Sequence, residues 1–167
     1  MLEIQKIISV IEQCCNNLVS QNIESNSKWT SEIKQSVVNF ARENDDSFCI
    51  CVGGNEIKNK DHGEWLYDIT IIKMFNDELI EYVDTVIESE WGDMPQILED
   101  FQKVIQSNAK NKLMICQDYK LSAHDIFDNL QTQLNIYSDF SESDSVTILC
   151  FENANKKLIQ KCIIKQQ

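Results

Sequence analysis

The chain is short of the residues that interrupt regular structure, with four glycines and one proline in 167 residues. That scarcity excludes collagen-like, linker-like and turn-built architectures. Arginine is nearly missing, Arg42 being the single example, and 15 basic residues face 27 acidic ones for a formal net charge of -12. Tight, non-specific nucleic-acid binders carry basic surfaces, so the balance argues against that class. No apolar run approaches the ~20 residues a membrane helix needs. A soluble protein with no membrane partner is therefore expected. The opening MLEIQKIISVIEQCC lacks a small-residue cleavage site and reads as a helix start, not a signal peptide.

Histidine is scarce too, at His62 and His124, and no CxxC pair accompanies the seven cysteines. A zinc site needs short paired spacing with further ligands. Five of the cysteines stand among apolar neighbours, as in FCICV, MICQ, ILCF and KCII. Buried free thiols in a reducing cytoplasm are the expectation, ahead of a disulfide or metal role. What the chain does have is 43% hydrophobic and 25% charged residues, enough for one compact domain over 1–167.

Periodicity orders that domain. Ile4, Ile7, Ile8, Ile11, Cys15 and Leu18 fall at helical spacing. A second helix is expected after Thr30 as N-cap, with Trp29, Ile33, Val37, Phe40 and Ala41 on its stripe. The period then changes: Ser47–Val52 reads as a strand, residues 53–63 as a polar loop, and Trp65–Phe75 and Leu79–Glu90 as alternating strands about a turn at Asn76-Asp77-Glu78. Asp93 and Pro95 suit the start of a third helix. Lys112–Gln117 is a strand, Ser122 to about Ile136 a helix, and Val146–Phe151 and Leu158–Ile164 two more strands. The order α-α-β-β-β-α-β-α-β-β implies an α/β fold, a mixed sheet flanked by helices.

Three carboxylates sit where apolar residues are expected. Asp68 lies within WLYDITII, and Glu88 and Glu90 lie in TVIESEW. A turn centred on Glu78 sets Asp68 opposite Glu88, and a period of two puts Glu90 on the same face. Two unit charges ~4 Å apart at an effective dielectric of ~20 repel by about 4 kcal/mol. Solvent, a shared proton, a lysine or a divalent cation must offset that. Lys103, three residues after Asp100, shares a helical face with it. It could bring an ammonium to the acidic strands or make an ordinary surface pair.

These residues, in this element order, resemble the PD-(D/E)xK nuclease-like superfamily, with its restriction-endonuclease-like core, over about residues 30–117. The N-terminal helix and the C-terminal third would be elaborations. The resemblance implies Asp68 and Glu88 as ligands of Mg2+ or Mn2+. Tyr67 stands where the family has proline, and Glu90 occupies the lysine position. Lys103 would then substitute for the lysine, Glu90 would orient the attacking water or share a second metal, and Glu32 and Asp100 would be accessory acids. The expected activity is metal-dependent phosphodiester cleavage of a nucleic acid, by a homodimer where two strands are cut.

Trp65 and Trp91 could stack on bases, and Lys58 with Lys60 and Lys110 with Lys112 could touch phosphate. Two other classes fit the charge: a catalytically inactive nuclease-like binding module, and an acidic immunity or inhibitor protein that meets a basic partner. In the latter, the acids of SDFSESDS (138–145) would matter more.

Overall fold

The computed structural model describes residues 1–76, 78–141 and 143–166. Four helices and six strands follow one another in the order the periodicity implies. The strands form a mixed sheet in the order β1-β2-β3-β4-β5-β6. The chain divides within β3 into two compact units, Met1–Val86 and Ile87–Gln167. No helix among the described residues is long and apolar enough to cross a membrane.

The first unit opens with α1 (Ile4–Ser20) and α2 (Asn26–Asn44). Helix α1 buries Ile7, Ile8, Ile11, Cys14, Cys15 and Leu18, the stripe its spacing dictates. Helix α2 starts earlier than Thr30. Ser25 is its cap, accepting from the Lys28 amide at 3.4 Å, while the Thr30 hydroxyl donates back to the Asn26 carbonyl. Its buried stripe also differs: Lys34 and Val38 join Trp29, Ile33, Val37 and Ala41, and Phe40 is only half-buried.

Strand β1 (Phe48–Val52) pairs antiparallel with β2 (Ile69–Met74), Ile50 opposite Ile71. Both strands are shorter than the alternation suggests. Asp68 therefore immediately precedes β2 instead of lying in mid-strand. Residues 65–68 form a bend with a Trp65–Tyr67 bridge, and the Thr70 hydroxyl donates to the Trp65 carbonyl. Strand β3 (Ile80–Glu90) is buried continuously from Asp84 to Glu88, so two-residue alternation is invisible there. The expected hairpin turn includes Asp77, which lies outside the described residues.

The loop from β1 to β2 runs along the free edge of β1. Asp61 Oδ2 accepts from the Ile50 amide at 2.7 Å and from Arg42, whose other nitrogens donate to the carbonyls of Phe48 and Asn59. The chain's one arginine thus stitches this loop to the strand. Covering an edge removes a template for unwanted strand pairing.

In the second unit, α3 (Met94–Gln106) leads to β4 (Asn111–Gln117), and α4 (Ala123–Ile136) leads to β5 (Ser145–Glu152) and β6 (Lys157–Ile164). Strands β4 and β5 are parallel, Cys116 beside Cys150, and β6 returns antiparallel to β5. Parallel strands joined through helices are covered on both faces, which accounts for the unbroken burial of Lys112 to Cys116. Phe101, Val104, Leu130, Leu134, Val146 and Ile148 form the centre of this unit's core.

Two measurements check this account. Phe101 is fully buried, so Phe101→Ala is expected to cost about 3–5 kcal/mol in urea unfolding. Near β1, hydrogen bonds from Lys73 and from the Ser47 hydroxyl and amide hold the Asp45 carboxyl well below its usual value. Its stabilisation is therefore present above the ordinary carboxylate range and is lost as pH falls through that range toward the depressed folded value. Urea midpoints should show wild type above Asp45→Asn at pH 7, with the gap closing as the buffer is acidified.

Candidate functional site

The expected site residues are drawn from both units, Glu32 and Asp68 from the first and Glu88, Glu90, Asp100 and Lys103 from the second. Each unit contains its own acid–lysine group. In the first, Lys34 stands three, four and seven residues before Val37, Val38 and Ala41, on the apolar stripe of α2. That position buries its aliphatic stem and leaves the ammonium to reach the stripe's edge. The side chain is 11% exposed, with Nζ 2.8 Å from Asp68 Oδ1 and 3.7 Å from Glu64 Oε2. The Glu64 carboxylate lies against Gly53, where a Cβ would require it to shift. One ammonium is thus shared by two carboxylates, one on each side of the tight Trp65–Tyr67 turn.

In the second unit the Glu88 side chain is almost wholly buried near the end of β3, its Oε1 3.7 Å from Lys103 Nζ. Asp100 Oδ1, one turn away on α3, holds the same ammonium at 2.6 Å. The Asp100 hydrogen bond and, after it, the charge of Glu88 raise the Lys103 pKa. Lys103 therefore does bring its ammonium to the acidic strand, as its spacing allows. Glu90 is engaged locally, its Oε1 accepting from the Gly92 amide at 2.6 Å. Gln96 Oε1 accepts from the Asp93 amide at 3.2 Å, so these two side chains shape the entry to α3. Glu32 pairs with Lys28 at 2.5 Å on an exposed face of α2.

The basic residues proposed as phosphate contacts are largely used elsewhere. Lys60 donates to the carbonyls of Val52 and Gly54. Lys112 is buried, 2.9 Å from Asp144 and 5.3 Å above the Phe140 ring. That pair and buried Phe140 also anchor the 138–145 segment, whose Glu142 lies outside the described residues. Among the described residues, the ion pairs leave out Lys58, Lys60, Lys110, Lys156 and Lys165, of which Lys60 and Lys165 donate to backbone carbonyls. Of the two tryptophans proposed to stack on bases, Trp91 is buried and Trp65 is 42% exposed.

Two important acids and one lysine escape sequence reasoning. Glu64 and Lys34 are one case, and the lysine's helical-stripe position was the available signal. Asp84 is the other. It is fully buried in β3, accepting from the Leu2 amide at 3.1 and 3.2 Å and from the Thr85 hydroxyl. The cysteines are free thiols, and all but Cys49 and Cys162 are buried. Among the described residues, no group of three or more His, Cys, Asp or Glu side chains is arranged to hold a metal ion. Compared with known proteins, the chain matches no family model, no curated protein and no solved structure.

Chemically, each group sets one ammonium against two carboxylates and keeps a formal charge of -1. If Lys34 serves chiefly to neutralise Asp68 and Glu64, Lys34→Met should cost about 1.5–3 kcal/mol in urea unfolding, the range for a charged hydrogen bond. Adding Asp68→Asn should return part of that loss, and a double-mutant cycle measures the coupling.

Proposed function

We propose that the protein is a non-catalytic acidic binding module whose partner is a basic protein. The observation that carries this reading is the pairing of Asp68 with Lys34 and of both Glu88 and Asp100 with Lys103. Acids that could have recruited a divalent ion have ammonium partners from the chain itself. Net charge of -12 gives the surface a field that repels phosphate and attracts cationic proteins. Cations that might have built a phosphate-binding surface are spent on Asp144, on backbone carbonyls and on the acid groups themselves. The element order helix, three strands, helix, strand supports a nuclease-like core beneath this module.

A second reading, a Mg2+- or Mn2+-dependent nuclease, is favoured by one specific observation. Lys103 approaches Glu88 from the helix that follows the acidic strand, where a relocated lysine would stand. In that case Glu88, in the unit that also carries Lys103, would be a ligand of the metal, which would polarise the phosphoryl oxygen and acidify a bound water. Lys103 would stabilise charge on the phosphoryl oxygens.

One set of measurements separates the two. Titration calorimetry with Mg2+ and Mn2+ is expected to give equally weak heats for wild type and Asp68→Ala. Incubation with single- and double-stranded DNA and RNA plus Mn2+ should leave all substrates intact. Manganese-dependent cutting that disappears in both Glu88→Ala and Lys103→Ala overturns the binding-module reading in favour of the nuclease. Affinity capture should return basic proteins that elute with salt, and a capture with none counts against it.

A further inference from the structure

The exposed apolar residues are not scattered evenly over the chain. Trp65, Leu66, Phe75, Leu79 and Ile80 all lie within residues 65–80, each between 42% and 72% exposed. Part of this group borders a cleft of about 510 Å3 in the first unit, within the size range of ligand pockets. Cys49, Cys51, Ile72 and Met74 from β1 and β2 line it together with Trp65 and Ile80. Burial raises both cysteine pKa values, that of Cys51 to about 12. Both therefore remain neutral thiols and behave as small apolar groups. Beside Trp65, Leu66 has a φ of +70°, a conformation costly for a bulky residue, and is 71% exposed.

Among the described residues, the charged side chains lining the cleft are Glu64 and Glu78, and neither lysine nor arginine lines it. This selects the occupant. A second copy of the chain would bring another -12 to the contact, and an anionic lipid surface or nucleic acid would meet the same repulsion. An amphipathic segment with apolar anchors and flanking Lys or Arg is complementary in both respects. Methionine and small thiols form an adaptable lining for such anchors, and the carboxylates meet the flanking cations. We infer that the Trp65–Ile80 cleft is the docking site for an apolar-anchored, lysine- or arginine-rich polypeptide segment. This rests on the acidic-module reading and names the part of the surface that binds.

Trp65 provides the test, because Trp29 and Trp91 are buried. The probe is an amphipathic Leu/Lys peptide, with Leu/Glu and Ser/Lys peptides of the same length for comparison. Addition of the Leu/Lys peptide to the full chain should shift tryptophan emission to the blue and protect it from acrylamide, and the Trp65→Phe variant should lose both changes. The Leu/Glu and Ser/Lys peptides should bind far more weakly.

Ile80→Asp makes the chain more acidic, so a purely electrostatic contact would tighten; docking in the cleft predicts binding at least about tenfold weaker, the loss of one anchor. Leu121→Asp, an exposed site in the second unit, should bind as wild type, and circular dichroism verifies that each variant is folded. Equal affinity of the two aspartate variants overturns the cleft assignment while leaving the acidic-module reading standing. Failure of every basic probe to bind wild type overturns that reading itself. Self-association in sedimentation that Ile80→Asp abolishes would assign the cleft to a second copy and also defeat the proposal.

Discussion

An ammonium placed on the buried stripe of a helix must find carboxylates, because an uncompensated buried charge costs several kcal/mol. Lys34 imposes that requirement on the first unit. Its position among Ile33, Val37 and Val38 is fixed by helical geometry, so the anions have to come to it. Asp68 supplies one from the residue before β2, and Glu64 supplies another across the space that Gly53 leaves open. The long β1–β2 connection is consequently pinned at two places, to α2 through Lys34 and to the edge of β1 through Asp61 and Arg42. The turn between Glu64 and Asp68 carries the exposed Trp65 and Leu66.

The element order was legible because the change from a 3.6-residue to a two-residue apolar period occurs at the right places, and because residues such as Ser122 and Asp93 mark helix starts. Individual carboxylates were harder. A lysine in an amphipathic helix ordinarily marks the solvent face, so the apolar spacing of the second helix gives no hint that Lys34 is part of the buried stripe. The alternation expected for β3 assumed one wet face. With Asp84 to Glu88 all buried, the period of two, which sets Asp84 on the face of Glu88 and Glu90, does not reveal that Asp84 is buried. Lys103 could be found because an i,i+3 partner on a capped helix has a fixed direction. The partner of Asp68 could not, since it lies 34 residues away across a loop without periodic structure.

Compensation within the chain also shapes what remains outside. Lys34, Lys103 and Lys112 each neutralise acids that are themselves partly or largely buried, and Arg42 and Lys60 are committed to the β1 edge. Lysines such as Lys6, Lys28, Lys58 and Lys120 stay exposed, but 27 acidic residues against 15 basic ones leave a net negative field that disfavours phosphate.

Such a field accelerates encounters with any basic protein but discriminates poorly among them, since long-range attraction reads net charge and is screened beyond about 8–10 Å at physiological ionic strength. Selectivity has to come from short-range contacts that only some partners can make. These chiefly set the rate of leaving. An apolar recess bordered by carboxylates meets that need: it rewards a segment carrying both anchors and cations and leaves polylysine-like chains bound by charge alone. The clustering of exposed apolar side chains between Trp65 and Ile80, otherwise a solubility liability, has a physical rationale on this account.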